Sequence, residues 1–163
     1  MLFHPITAVQ LEWNLWTTWH RNCSVHSSWN GILASGAKVV ENIHENDFRK
    51  SIPRLQPENL EHNKKLFERV EEMATRKGCT PSQLALAWVH HQGNDVCPIP
   101  GTTRIHNLEQ NIGALAVKLT VEEMAELDEI ASLVKGDRFG PGIATWRHEE
   151  TPSLSSWKVI NNA

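Results

Sequence analysis

The sequence predicts an α/β fold, because strand-like and helical stretches alternate along it. Residues 5–13 and 96–99 are short apolar stretches with the character of buried strands. Apolar or amphipathic helical stretches occupy residues 57–77 and 81–89, and another begins near residue 104. This order favours parallel packing of strands and helices. A chain of 163 residues is long enough for one domain with a core.

Composition and charge exclude several classes of partner. The net charge is −3 and local basic clusters are absent, so we expect no binding to nucleic acid or to an anionic membrane. No apolar run is long enough to span a bilayer, and the first residues lack the basic region of a signal peptide. Cys23, Cys79 and Cys97 lie far apart, which suggests free thiols in a reducing compartment. We therefore expect a cytoplasmic protein.

Local capping signals predict where the helices begin and end. Gly78 follows the helical stretch 57–77 and is suited to ending it. Thr80 with Gln83, and Thr120 with Glu123, have the spacing of a capping box. Helices are therefore expected to begin directly after Thr80 and Thr120.

The turn after residues 96–99 is the first place where binding chemistry is expected. Gly101 lets a ligand approach the backbone closely, and Thr102 and Thr103 add hydroxyl donors. A helix is expected to begin near Arg104, and its first N–H groups carry partial positive charge that attracts phosphate. The Arg104 guanidinium is itself suited to phosphate. Pro98 is awkward in the preceding strand because it donates no ladder hydrogen bond.

The helix that follows has a polar face and an apolar face. Asn107, Gln110 and Asn111 lie at i, i+3 and i+4, so their amide groups share a face that can hydrogen-bond a flat heterocycle. The neighbouring apolar stripe is expected to face a core. Its members are Ile105, Leu108, Ile112 and Leu115. The plainer alternative is an ordinary helix start with two solvated amides.

Three motifs together resemble a known family. They are GCTPSQLALAWV at residues 78–89, PIPGTT at residues 98–103 and NLEQN at residues 107–111. In this order and spacing they resemble the C-terminal part of an aldo-keto reductase, and are most similar to the plant auxin-induced-protein-like and perakine-reductase-like group. The resemblance covers residues 4–16 and about 34–157.

The resemblance implies a partial (β/α)8 barrel. Only the C-terminal portion is expected, namely strands six and eight with their following helices, since such barrels take about 250 residues. We expect a single incomplete domain over residues 1–163, rich in helix, with an irregular tail at residues 132–163.

The resemblance also implies NADP(H) as the cofactor. In the family, the loop and helix after the last barrel strand hold the adenosine end. The residues placed near the 2′-phosphate ribose are Gly101, Thr102 and Thr103. The residues placed near the adenine are Asn107, Gln110 and Asn111.

Two further cofactor contacts have different origins. Gln10 matches the family residue that hydrogen-bonds the nicotinamide carboxamide; without the family it is simply a polar residue at a strand end. Arg104 is assigned on electrostatic grounds alone.

No catalytic residue is assigned, because the chain contains no Tyr. The family uses a Tyr as the general acid that protonates the developing alkoxide. We therefore expect a truncated NADP-dependent carbonyl reductase that is inactive as this chain. The alternatives are a non-catalytic nucleotide-binding or interaction remnant, which could pair with a full-length relative, and a pseudogene-like product. The substrate of the parent family is a small carbonyl compound.

Residues 17–33 have no convincing helical or strand period and no family character. His20, Cys23 and His26 could be taken for metal ligands, but a structural zinc site needs four ligands and no matching second pair is evident. We assign no metal site. We interpret the segment as a stretch translated out of the ancestral frame or across a mis-predicted splice junction. Sequencing the transcript tests this, since an intact in-frame message would rule it out.

Overall fold

A computed structural model of the chain describes residues 11–12, 24–25 and 48–137. Within residues 48–137 there are four α-helices. They are α1 (Pro57–Lys77), α2 (Pro81–His90), α3 (Ile105–Gly113) and α4 (Val121–Ser132). Short 3-10 helices lie at Phe48–Ser51, Pro53–Leu55 and Ala114–Ala116. The described strands are β1 (Leu11–Glu12) and β2 (Ser24–Val25).

The two strands pair in parallel, with Leu11 opposite Ser24 and Glu12 opposite Val25. The strand β1 lies inside the stretch predicted as a strand at residues 5–13. The strand β2 lies inside residues 17–33, where no strand was expected, so that expectation was wrong. Two residues are too few to show a period of two in the sequence. The pairing of β2 with the backbone of β1 defines it instead.

Residues 96–99 do not form a strand, which corrects the sequence prediction. Their burial still alternates as in a strand: Val96 and Pro98 are buried, whereas Cys97 and Ile99 are exposed. The Val96 N–H donates to the Gly93 carbonyl, which belongs to a turn rather than a ladder. A strand requires a neighbouring strand, and none is found within residues 48–137. The apolar pattern is therefore present without the hydrogen-bonded partner.

The capping predictions are confirmed. The Thr80 hydroxyl accepts from the Gln83 N–H, and the Gln83 side chain accepts from the Thr80 N–H. Thr120 and Glu123 form the same reciprocal pair. Gly78 ends α1 in the left-handed conformation with φ of 66°. These signals act within one turn of helix, so they need no tertiary contact to operate.

The core lies between α1, α2 and α4. The helix α2 is buried nearly all round, as predicted from its apolar sequence. Trp88 in the last turn of this helix has 1 % of its surface exposed, and its Nε1–H donates to Asp128 Oδ1 at 2.9 Å. The side chains packed most deeply in the same core are Val70, Met73, Leu84, Leu127 and Ile130.

The apolar face of α3 was expected to face a core, but in the structure it faces solvent. Its apolar stripe is exposed: the exposed fractions are 78 % for Ile105, 49 % for Leu108 and 59 % for Ile112. Leu115, the last residue of the predicted stripe, lies in the 3-10 helix that follows α3 and is 57 % exposed. The helix α3 instead packs on α2 through its opposite side. There Thr80 Oγ1 donates to Gln110 Oε1 at 3.3 Å, and a Cβ on Gly113 would overlap the Gln83 side chain. The sequence therefore identified the apolar face of α3 correctly, but not that this face is exposed to solvent.

The segment that follows α4 is hydrogen-bonded to Asn63 in the first half of α1. In the sequence Asn63 interrupts the apolar stripe of α1, and in the fold its side chain is buried. Its Nδ2 donates to the carbonyls of Arg54 and Lys135 at 3.0 and 2.9 Å, and its Oδ1 accepts from the Lys135 N–H at 3.0 Å. Beyond it, Arg54 Nε donates to the Gly136 carbonyl at 2.8 Å. We name these contacts the α1–α4 junction.

Acid should weaken the link between α1 and α4. Lys77 Nζ donates to both carboxylate oxygens of Glu123 at 2.9 and 2.8 Å. The hydrogen bond from Lys77, and then the one from the Thr120 backbone, lower the pKa of Glu123 below its usual value. A lowered pKa in the folded state means that the ionised carboxylate stabilises the fold at neutral pH. This contribution is lost as the pH falls from the usual value of about 4.3 through the folded-state pKa.

Glu123→Gln tests this dependence, because glutamine keeps the capping geometry but removes the charge. We expect the variant to be less stable than the wild type at pH 7 and to show a flatter decline of unfolding free energy below about pH 5. Urea unfolding followed by Trp fluorescence measures both quantities. Glu61→Gln, on the exposed side of α1, is the matched control and should keep the wild-type stability at pH 7. Parallel acid profiles for wild type and Glu123→Gln would contradict the assignment.

Candidate functional site

The turn before α3 is shaped by Thr102. The Arg104 N–H donates to Thr102 Oγ1 at 3.1 Å, and the Thr102 hydroxyl donates to the Arg104 carbonyl at 3.4 Å. The Thr102 hydroxyl thus hydrogen-bonds both backbone groups of Arg104, the residue that precedes the helix. Gly101, Thr103 and Arg104 are all exposed, and a Cβ built on Gly101 meets nothing within 4 Å. The turn therefore presents an open surface to solvent.

The start of α3 exposes backbone donors. Arg104 is the N-cap residue in an extended conformation, with φ of −114° and ψ of 129°, and no side chain caps the helix. The Leu108 N–H makes the first hydrogen bond, to the Arg104 carbonyl. The N–H groups of the first turn before Leu108 have no acceptor within the helix. No acidic side chain lies in that turn, so its partial positive charge is not neutralised locally.

The amide side chains of α3 differ in their surroundings. Asn107 is exposed, whereas Gln110 and Asn111 are half-buried. Gln110 accepts a hydrogen bond from Thr80, the N-cap residue of α2. The Thr80 hydroxyl accepts from Gln83 and donates to Gln110 at once, which a hydroxyl group can do. Sequence reasoning missed this neighbour because Thr80 and Gln110 are 30 residues apart.

Seven of the eight predicted cofactor residues lie in one continuous stretch of the described chain. They are Gly101, Thr102, Thr103, Arg104, Asn107, Gln110 and Asn111, all on the turn or on α3. Gln10 lies outside the described residues, and so do His20, Cys23 and His26. Within the described residues, no group of three or more His, Cys, Asp or Glu side chains is arranged to hold a metal ion. No helix in this part of the chain could cross a membrane.

A family comparison decides which group of proteins contains this chain. The model of the aldo/keto reductase family matches residues 3–132, which is most of the sequence. The chain belongs to the aldo-keto reductase family. The match runs through residues 17–33 and ends with the last residue of α4.

One solved aldo-keto reductase is similar to part of this chain. It is the thermostable aldo-keto reductase Tm1743, crystallised with the inhibitor epalrestat. The sequences are 22 % identical, and the alignment covers 77 % of this chain and 40 % of Tm1743 with a TM-score of 0.44. The chain therefore spans less than half the length of this aldo-keto reductase.

Proposed function

We propose that this chain is the C-terminal portion of an NADP-dependent aldo-keto reductase and that it binds the adenosine end of NADP(H). In a whole family member, NADPH supplies the hydride that reduces a carbonyl compound. Here the turn 101–103 and α3 form the part that holds the nucleotide. The observation that supports this most directly is the uncapped, exposed start of α3 beside Arg104.

The 2′-phosphate is proposed to lie at the start of α3. A phosphate group with about two negative charges interacts favourably with the N-terminal end of a helix and with its unpaired N–H groups. Arg104 adds a fixed positive charge with a forked set of donors. Thr103 offers a hydroxyl donor at the exposed turn, and the open space beside Gly101 leaves room for the ribose.

The adenine is proposed to lie against the amide side of α3. Asn107 lies in the first turn of α3 and Asn111 lies about one turn further along. An amide can both donate to and accept from a heterocycle. Gln110 already accepts a hydrogen bond from Thr80 at the start of α2. It is therefore proposed to contact the adenine from the side of the site that faces α2. Asn111 is half-buried, whereas Asn107 is exposed. Asn111 is therefore the stronger adenine contact in this proposal.

The chain by itself is proposed to bind the cofactor without turning it over. Its 163 residues include no Tyr, so the phenol that protonates the alkoxide is missing. Gln10 is proposed to contact the nicotinamide carboxamide. The parent activity, the cytoplasmic location and kinship with the plant auxin-induced-protein-like and perakine-reductase-like group belong to the same proposal. A full-length relative is the proposed protein partner, and no nucleic acid or membrane partner is proposed.

Calorimetric titration with 2′-phospho-ADP-ribose tests the binding site. We expect saturable binding to the wild-type chain and weaker binding of ADP-ribose, which lacks the phosphate at the helix start. Asn111→Ala should weaken the affinity for both ligands about 10-fold, since it removes a hydrogen-bonding group. Asn94→Ala changes an exposed amide in the turn after α2 and should bind like the wild type.

Two results would overturn separate parts of the proposal. Equal affinity of Asn111→Ala and wild type would show that the adenine lies elsewhere. Steady oxidation of NADPH with an aldehyde by the purified chain would show that proton donation does not need the missing Tyr. Absence of any nucleotide binding by a folded chain would remove the proposed function as a whole.

A further inference from the structure

The Thr80 hydroxyl takes part in two hydrogen bonds, of which the cap of α2 needs only one. It accepts from the Gln83 N–H at 3.2 Å, which is the contact that caps α2. It also donates to Gln110 Oε1 at 3.3 Å, on a helix that begins 25 residues later in the chain than Thr80 itself. The capping motif does not account for this second bond. The hydroxyl therefore links the start of α2 to the amide of Gln110.

The second member of the same capping box also reaches α3. The Gln83 Oε1 accepts from the Thr80 N–H at 3.0 Å, and the Gln83 Nε2 lies where a Cβ on Gly113 would stand. Because its oxygen is held in the box, the Gln83 amide cannot swing away from Gly113 without breaking the cap. Both halves of the box thus contact α3 on the same side, at positions i and i+3. The α2–α3 joint consists of Thr80, Gln83, Gln110 and Gly113.

The capping box at the start of α4 shows that such a motif need not contact α3. There the Glu123 N–H donates to the Thr120 hydroxyl at 3.2 Å, and the Thr120 N–H donates to Glu123 Oε2 at 2.8 Å. The Glu123 carboxylate accepts from Lys77 of α1. The two boxes share their local geometry and differ in the helix that each one contacts. Thr120 is therefore a matched comparison for Thr80.

The link to Thr80 decides which end of the Gln110 amide remains for a ligand. An amide side chain offers one oxygen that accepts and one NH2 group that donates. The oxygen of Gln110 accepts from Thr80, and within residues 48–137 its Nε2 makes no hydrogen bond. The ring nitrogens of adenine accept hydrogen bonds, so they match the end of the amide that remains. A Gln110 without the Thr80 hydroxyl could turn either end outward, which lowers the fraction of chains ready to bind.

We propose that Thr80 is a positioning residue of the nucleotide site, and that it holds Gln110 Oε1 so that Nε2 donates to the adenine ring. This role rests on the function proposed above, and it requires no contact between Thr80 and the nucleotide. The capping box of α2 then has two tasks, to begin α2 and to orient a side chain of α3. Thr80 acts on the affinity only through Gln110.

Calorimetric titration of the full chain with 2′-phospho-ADP-ribose separates positioning from capping. Thr80→Val removes the hydroxyl and should weaken the affinity about fivefold. Thr120→Val removes the corresponding hydroxyl of α4, so it should lose a similar amount of stability in urea but keep the wild-type affinity. Thr80→Ser keeps a hydroxyl that can cap and donate, and should bind within about twofold of the wild type.

A double-mutant cycle tests whether Thr80 acts through Gln110. Gln110→Ala should weaken the affinity about 10-fold. Adding Thr80→Val to Gln110→Ala should change the affinity further by less than about twofold, because the side chain that Thr80 orients is already absent. A purely structural effect of the lost cap would instead add to the effect of Gln110→Ala and would also appear in Thr120→Val.

The outcomes distinguish failure of this role from failure of the proposed function. Wild-type affinity of Thr80→Val, an equal loss in Thr120→Val, or a further loss in the double variant each overturns the role of Thr80 alone. Wild-type affinity of Gln110→Ala does the same without any change to the cap of α2. A folded wild-type chain that binds no 2′-phospho-ADP-ribose overturns the proposed function and the role of Thr80 with it.

Discussion

Gly136→Ala should lower the free energy of unfolding by about 3 kcal/mol. Gly136 has φ of 85°, a conformation that a side chain disfavours. A Cβ there would also lie 2.9 Å from both the Arg54 nitrogen and the Pro53 carbonyl carbon, and 2.7 Å from the Asn59 amide nitrogen. Because two of these atoms belong to the backbone, the overlap cannot be relieved by rotating a side chain. Urea unfolding measures the change.

Two other glycines separate the steric cost from the conformational cost. Gly78 also has positive φ, at 66°, but a Cβ on it meets nothing within 4 Å, so Gly78→Ala should cost only about 1 kcal/mol. Gly101 has neither constraint, so Gly101→Ala should change stability by less than about 0.5 kcal/mol. If Gly136→Ala cost no more than Gly78→Ala, the close approach of Gly136 to residues 53–54 would be refuted.

Asn63→Ala should destabilise the fold by a similar amount, about 3 kcal/mol. Its side chain makes three hydrogen bonds within the α1–α4 junction, to Arg54 and to both backbone groups of Lys135. Removing it leaves these part-buried backbone groups without that partner, which costs more than the loss of an exposed hydrogen bond. Hydrogen exchange gives a local measurement, because the Lys135 N–H should lose its protection.

The neighbouring Asn59 provides the matched control for Asn63. Asn59 Nδ2 makes one hydrogen bond, to the Pro53 carbonyl at 3.0 Å, so Asn59→Ala should cost about 1 kcal/mol. Asn63→Asp adds a second comparison. It keeps the acceptor for the Lys135 N–H but places negative charge near two carbonyl oxygens, so it should rescue little of the loss. Equal costs for Asn63→Ala and Asn59→Ala would contradict the role of Asn63 in the junction.

The helix boundaries were predictable because their causes are local. Thr80 and Thr120 each find their capping partner three residues later, and Gly78 adopts φ of 66° directly after α1. The burial of α2 was predictable for a related reason, since a helix that is apolar nearly all round has no side suited to water. The start of α3 near Arg104 was predicted from the turn at residues 101–103, although no side chain caps this helix.

The candidate site was predictable only in part. The turn at residues 101–103 and the start of α3 are neighbours in sequence, so their proximity required no knowledge of the fold. The contact between Gln110 and Thr80 did, because it joins two helices. Asn63 shows the same limit. Its position in an apolar stripe was visible, but its partners at Arg54 and Lys135 lie 9 and 72 residues away.

The sequence by itself therefore determined the four α-helices, the end of α1, the starts of α2 and α4, the amphipathic face of α3 and the motifs of the family. Only the tertiary structure decided that residues 96–99 have no strand partner within residues 48–137, that β2 pairs with β1, and that α3 meets α2 through its polar side. The physical reason is that capping is completed within a few residues of one chain segment. A strand or an apolar face, in contrast, is satisfied only by a second surface, which an apolar pattern does not identify.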